Sequence, residues 1–312
     1  DLLGPDPKTL AKQSAANARR AAEEQYAKDT LAATGLGQGI VSSQMLLDQM
    51  NGDDGELTAQ RAAADREWTY GHIVVDEAQE LTAMDWRMLI RRCPSRSFTI
   101  VGDVAQTSAL AGTRRWDKTM NRLFGEGHWD LNELTINYRN PQEVSDLASR
   151  FAQNEGLYIS TVNAVRALPD SVSRHVVDDM KALLTVTSNQ AAQLANHFVS
   201  ADGTGRIAII CPNDLIKPVR EAVRHRLSSL MAPSEYQRLI DQPEWDEQIS
   251  VCGTEMVKGL EFDAVIVIEP GRIEDDAPSR LVAASDLYVA TTRPTQKLVI
   301  VRTKEDERSL NI

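Results

Sequence analysis

The sequence predicts an α/β protein built on parallel sheets, and three observations carry that expectation. From His72 onward, short β-branched runs alternate with amphipathic helical stretches. Those runs are nearly continuous in apolar residues, as strands covered on both faces by helices must be. The first two runs, Ile73-Val74-Val75 and Phe98-Thr99-Ile100-Val101, lead into acidic residues. Charge is thereby placed at the carboxyl ends of strands, where open α/β sheets hold ligands.

The elements follow in order. Residues 6–33 are rich in Ala, Lys, Arg, Glu and Gln, with Leu10, Tyr26 and Leu31 as sparse apolar anchors. They read as a long helix opened by Asp6 and Pro7. Gly35, Gly37 and Gly39 form a joint without dinucleotide-loop spacing. Shorter helices are expected over residues 43–50 and 56–68, separated by a glycine-containing turn. A helix around residues 83–92 lies between the first two strands. Later strands are Ile207-Ala208-Ile209-Ile210, Ala264-Val265-Ile266-Val267-Ile268 and Leu298-Val299-Ile300-Val301. An acidic loop, Glu274-Asp275-Asp276, precedes a helix starting near Arg280. The expected domains are a helical segment, residues 1–68, a partial α/β lobe, residues 69–133, and a second α/β lobe, residues 134–312. The boundary is placed between Trp129 and Leu134.

Composition narrows the function. In 312 residues, 42% hydrophobic and 25% charged is the mix of a globular chain, which excludes collagen-like and wholly disordered readings. No stretch approaches the roughly twenty apolar residues of a membrane span, and the first residues carry no secretion-signal pattern. A cytoplasmic location is expected. Cys93, Cys211 and Cys252 are scattered and odd in number, so neither a disulfide framework nor paired zinc-ligand spacing is expected. The net charge of -11 has the wrong sign for a surface that grips duplex DNA as a whole. Nucleic-acid contact must be local, and a protein partner or a nucleotide is the easier fit.

Five stretches carry chemistry. Asp76 and Glu77 follow the first apolar run. In a nucleoside triphosphatase the first carboxylate holds Mg²⁺ and the second polarises the attacking water. The same pair also suits the start of a helix, whose dipole favours acids. Gln106 follows the second run, as a neutral donor able to sense a γ-phosphate. Tyr138 beside Arg139 offers a ring for a base and a fork for phosphate oxygens. Lys258, Gly259 and Glu261 precede a strongly apolar run: the glycine permits close approach of backbone, and the acid suits a ribose hydroxyl. Arg293 closes a helix as a second candidate phosphate arginine.

In this order the five stretches resemble the superfamily 1 helicases of the UvrD/Rep kind, from about Tyr70 to Arg302. Val75-Asp76-Glu77-Ala78-Gln79 is similar to their Walker B motif, Gly102-Asp103 through Gln106 to motif III, and Asn137-Tyr138-Arg139 to motif IV. Lys258-Gly259-Leu260-Glu261-Phe262-Asp263 is similar to motif V, and Tyr288-Val289-Ala290-Thr291-Thr292-Arg293 to motif VI. The resemblance implies two RecA-like P-loop NTPase lobes with ATP between them. It assigns Mg²⁺ to Asp76, the base to Glu77 and coupling of nucleotide to motion to Gln106. Adenine stacking falls to Tyr138, γ-phosphate contact to Arg139 and Arg293, and the ribose to Glu261; Lys258 and Gly259 join the nucleotide-binding set.

The departures are informative. No G-x-x-x-x-G-K-[ST] phosphate loop occurs; the nearest run, Gly112 to Thr119, has Asp117 where the second glycine belongs. The chain is therefore expected to be the C-terminal part of a longer motor, with its first lobe incomplete and the Walker A loop supplied upstream. Alone it should hydrolyse ATP poorly. UvrD and Rep carry base-stacking aromatics after motif III, where each stacked base contributes roughly 1–3 kcal/mol. Here no ring occurs between Gln106 and Trp116. The interval from Arg139 to Lys258 also leaves little room for the large domain those helicases insert. With the Ala-rich lead-in, the Trp68-Thr69-Tyr70-Gly71-His72 phrase and the run from Glu80 to Leu89, these features look more like the HelD family. That resemblance implies an ATPase that binds bacterial RNA polymerase and releases it from nucleic acid. The alternatives are a translocase on single-stranded DNA and a binding module that has lost hydrolysis.

Overall fold

Apolar runs become parallel strands wherever a helix returns the chain to the same sheet edge. The computed structural model describes residues 69–200, 202–240 and 247–306. The expected helices over residues 6–33, 43–50 and 56–68, and the glycine joint between them, lie outside the described residues. The chain divides into two units, Asp1–Thr69 and Tyr70–Ile312, and the elements below belong to the second.

Strand β1 (Ile73–Val75) pairs in parallel with β2 (Phe98–Ile100) across helix α1 (Ala83–Arg92). The start of α1 is set by a capping box: Thr82 accepts from the Asp85 N–H, and the Asp85 carboxylate accepts from the Thr82 N–H. Arg91 and Arg92 occupy its last turn, where the dipole favours cations. Helix α2 (Trp116–Phe124) completes a small core of Val75, Ala78, Trp86 and Met120. Val74 points away from that core and is 68% exposed.

Strand β3 (Ile136–Pro141) pairs in parallel with β4 (Asn163–Arg166), with α3 (Gln142–Asn154) between them. The span from Trp129 to Leu134 lies in irregular chain ahead of β3. The main sheet comprises β5 (Val172–Val177), β6 (Ile207–Ile210), β7 (Ile249–Cys252), β8 (Phe262–Ile268) and β9 (Pro294–Thr303). Its order is β5-β9-β8-β6-β7, with every neighbouring pair parallel. The helices of this part are α4 (Met180–Phe198), α5 (Ile216–Leu230), α6 (Pro233–Ile240), α7 (Pro270–Asp276) and α8 (Arg280–Thr292).

The period-two geometry of strands divides the core cleanly. Ala208, Ile210, Val265, Val267, Leu298 and Ile300 pack with residues of α3 and α8. Ile207, Ile209, Ala264, Ile266, Val299 and Val301 pack with α4 and α5. This is the mixed α/β architecture of a five-stranded parallel sheet flanked by helices, consistent with a RecA-like lobe. One expectation is corrected: Glu274-Asp275-Asp276 is not a loop but the last turn of α7. Pro270 stands in the first turn of that helix, and Asp306 accepts from the Gly271 N–H at 3.1 Å. Among the described residues no helix is long and apolar enough to cross a membrane. The three cysteines are free thiols.

Candidate functional site

Because β1 ends at Val75, Asp76 and Glu77 emerge at its carboxyl end. Glu77 adopts a left-handed backbone (φ 50°), uncommon for a side-chain-bearing residue and a mark of local constraint. Its N–H donates to Asp76 Oδ1 at 2.9 Å. Its Oε2 accepts from Gln79 Nε2 at 2.6 Å. Gln79 is only 1% exposed, and its Oε1 accepts from the Asp103 N–H at 3.2 Å. One buried amide thus ties the end of β1 to the end of β2. Gly102 makes room for it: a Cβ there would lie 2.4 Å from Gln79 Oε1.

Asp103 continues the chain of contacts. Its carboxylate accepts from the Ala105 N–H at 3.0 Å and from Gln106 Nε2 at 3.0 Å. Burial raises the Asp103 pKa above the ordinary carboxylate value, opposed by these hydrogen bonds and by the charge of Arg293. With its NH₂ group held by Asp103, Gln106 presents Oε1 on the other side, where it accepts from Arg293 Nη2 at 2.6 Å.

Arg293 ends α8 and is 2% exposed. Its Nε donates to Val289 O and its Nη1 to Leu260 O, both at 3.3 Å. Burial lowers its pKa first and the charge of Arg139 next, while Glu77, Glu261 and Asp103 act in the opposite direction. Arg139 itself forms an ion pair with Glu261. Gly259 takes a left-handed backbone (φ 70°), and a Cβ on it would stand 4.0 Å from Glu77 Oε1. Tyr138 is 69% exposed and, with Arg139 and Gln106, lines a cleft of about 380 Å³ that also includes Asp103, Asn137 and Tyr288. That volume falls within the roughly 300–1,000 Å³ of ordinary ligand sites. Burial pushes the Tyr288 hydroxyl pKa up.

The structure therefore brings Glu77, Gln106, Arg139, Gly259, Glu261 and Arg293 to one seam, with Asp76 joined through Glu77 and Tyr138 at the rim. Lys258 is directed elsewhere, toward Asp286 at 3.7 Å. Asp286 also accepts from Ser108 Oγ, and burial raises its pKa. Sequence reasoning passed over Gln79 and Asp103 as site residues, although both stand within the motifs that drew attention. Their signal was an amide two positions beyond an acid pair and a carboxylate three before Gln106. The run from Gly112 to Thr119 is no phosphate loop: its last four residues form the start of α2. Trp116 packs against the small core beneath β1. A larger groove of about 610 Å³ beside β7 contains none of the predicted site residues.

Among the described residues no group of three His, Cys, Asp or Glu side chains is placed to hold a metal ion. Mg²⁺ in triphosphate sites needs only one or two carboxylates, with phosphates and waters completing its shell. The exposed Asp76 carboxylate fits that requirement.

No protein-family model matches the chain, and no curated protein matches it. A solved structure to which it is similar is the C-terminal domain of a possible DNA helicase from Lactobacillus plantarum WCFS1. The two share 18% identity with a TM-score of 0.37, over 54% of this chain and 88% of that one.

Proposed function

We propose that the chain is the nucleotide-cleft and second-lobe portion of an ATP-hydrolysing motor of superfamily 1 type. In this reading it is HelD-like, and uses ATP with Mg²⁺ to release bacterial RNA polymerase from nucleic acid in the cytoplasm. The observation that carries the ATPase reading is the Arg293 guanidinium. It is buried at the meeting point of Gln106 and the Leu260 carbonyl, with Glu77, Asp103, Glu261 and Arg139 around it. Residues scattered between positions 77 and 293 converge on one charged seam. Sites that stabilise a transferring phosphoryl group need such a set: acids for metal and water, and preorganised arginines for developing charge.

Each residue has a distinct task in this reading. Asp76 would hold the metal, which supplies charge neutralisation of the phosphates when bound. Glu77 takes the proton of the attacking water. Arg139 and Arg293 stabilise the γ-phosphate, Gln106 senses it, Glu261 meets the ribose and Tyr138 stacks on the base. Lys258 is paired with Asp286 and enters only if that pair opens. Further strands and the Walker A loop would come from elsewhere in the protein.

Polymerase rather than a DNA track is favoured by the stretch from Thr107 to Arg115, which carries no ring; Trp116 beyond it is half-buried against the small core. The test is a pull-down of RNA polymerase with the full-length protein, alongside ATPase assays with and without single-stranded DNA. Polymerase capture, with ATP-dependent release of nucleic acid, supports the proposal. No capture, together with strong stimulation by single-stranded DNA, replaces it with a UvrD/Rep-type translocase. Absence of any ATP turnover would leave a non-hydrolysing binding module of the same fold.

A further inference from the structure

We infer that Asn140 and Arg166 are positioning residues that fix the spacing of the two phosphate arginines, an assignment that rests on the nucleotide reading above. Arg139 and Arg293 come from different elements, β3 and the end of α8, and a γ-phosphate contacted by both requires those elements in fixed register. Four hydrogen bonds set that register. The Asn140 side chain is 4% exposed, and its Nδ2 donates to Thr292 O and to Pro294 O, both at 2.8 Å. Those two carbonyls flank Arg293 in the chain. Arg166, on β4, donates from Nη1 to Arg139 O at 2.6 Å and to Thr295 O at 2.7 Å.

The chemistry fixes the orientation of each group. A backbone carbonyl only accepts, so the Asn140 amide must turn its NH₂ toward Thr292 and Pro294. Its oxygen then faces Asn137, whose Nδ2 donates to it at 3.0 Å. Asn137 Oδ1 in turn accepts from the N–H groups of Arg139 and Asn140 at 2.9 and 3.1 Å. The turn that carries Tyr138 and Arg139 is therefore locked internally by Asn137 and fastened to the Arg293 segment by Asn140 and Arg166. Neither clamp residue projects a charged end at the cleft. They act through the backbone on either side of the arginines.

Misplacement of a reacting group by about 1 Å can reduce a rate by about 100-fold. Asn140→Ala in the full-length protein should therefore lower kcat on the order of 10- to 100-fold, with KM for ATP changing less than about threefold. The readout specific to positioning is the double variant. If Asn140 works through Arg293, adding Asn140→Ala to Arg293→Ala costs no further activity, whereas general damage to the fold adds to the loss. Arg166→Gln is judged by the same two criteria and serves if Asn140→Ala does not fold. Normal kcat in the single variants, or additive losses in the doubles, overturns the clamp. Normal activity of Arg293→Ala alone overturns the nucleotide reading instead, so the two failures are distinguishable.

Discussion

Glu77 and Arg293 are the residues on which the proposed chemistry turns. Glu77→Gln retains the shape of the side chain and an oxygen able to accept from Gln79, so the fold should survive. It removes the carboxylate to which the proposal assigns the proton. In the full-length protein turnover should vanish while ATP binding, measured by titration with a fluorescent analogue, stays within about threefold; near-normal turnover would remove Glu77 from the base role. Arg293→Ala should lower turnover on the order of 10³-fold or more, read by single-turnover hydrolysis. It also strips partners from Gln106 and the Leu260 carbonyl, both of which water can reach. Arg293→Lys should recover stability better than activity, because an ammonium keeps the charge but not the fork. At this scale the sequence was readable wherever a charged residue closed a motif. It was silent on Gln79, Asp103 and Asn140, because a neutral amide or a buried acid takes its role from neighbours distant in the chain.

At the scale of elements, the join between β1 and β2 can be tested through Gly102. Gly102→Ala places a methyl group 2.4 Å from Gln79 Oε1, with the Ala78 nitrogen 3.1 Å away in the turn that follows β1. Gln79 cannot swing aside without losing Glu77 and Asp103. Overpacking of this kind costs about 1–3 kcal/mol. The variant should show both a lowered denaturation midpoint and reduced turnover, and an unchanged value of either would mean that the Gln79 bridge gives way easily. The central strands of the main sheet were legible because Ile207–Ile210, Ala264–Ile268 and Leu298–Val301 are buried and hence apolar throughout. Strands β4 and β5 were not, since Asn163, Arg166, Ser173, Arg174 and His175 interrupt their apolar character at the sheet margins. The acidic end of α7 was misread because Glu274, Asp275 and Asp276 oppose the dipole of the helix they close, and the helix is held from its other end by Pro270 and Asp306.

For the whole molecule, the clearest pH signature belongs to Glu274. Burial, followed by the charges of Glu155 and Asp306, pushes its pKa up to about 7 from the ordinary 4.5. The folded chain therefore binds this proton more tightly than the unfolded chain. Between about pH 4.5 and 7 the Glu274 contribution to stability falls as pH rises. Glu274→Gln should flatten that part of a stability-versus-pH curve and raise stability at pH 8, as measured by denaturant unfolding; an unaltered slope would show that Glu274 titrates normally. The α/β class and the convergence of separated motifs were foreseeable from the sequence order alone. The exposed back of β1 was not, because an apolar run announces a strand without saying how many neighbours it has.

The Arg139–Glu261 pair and the Arg293–Gln106 contact mean that neither guanidinium waits bare for its ligand. On the proposed ATPase reading, an arriving triphosphate would trade places with partners already seated, and its gain would be the difference between two good bonds rather than the whole of one. In that reading such a cleft would resist stray anions and let spent nucleotide leave without a deep energy well. That behaviour suits an engine that must fire repeatedly more than a receptor built to hold on.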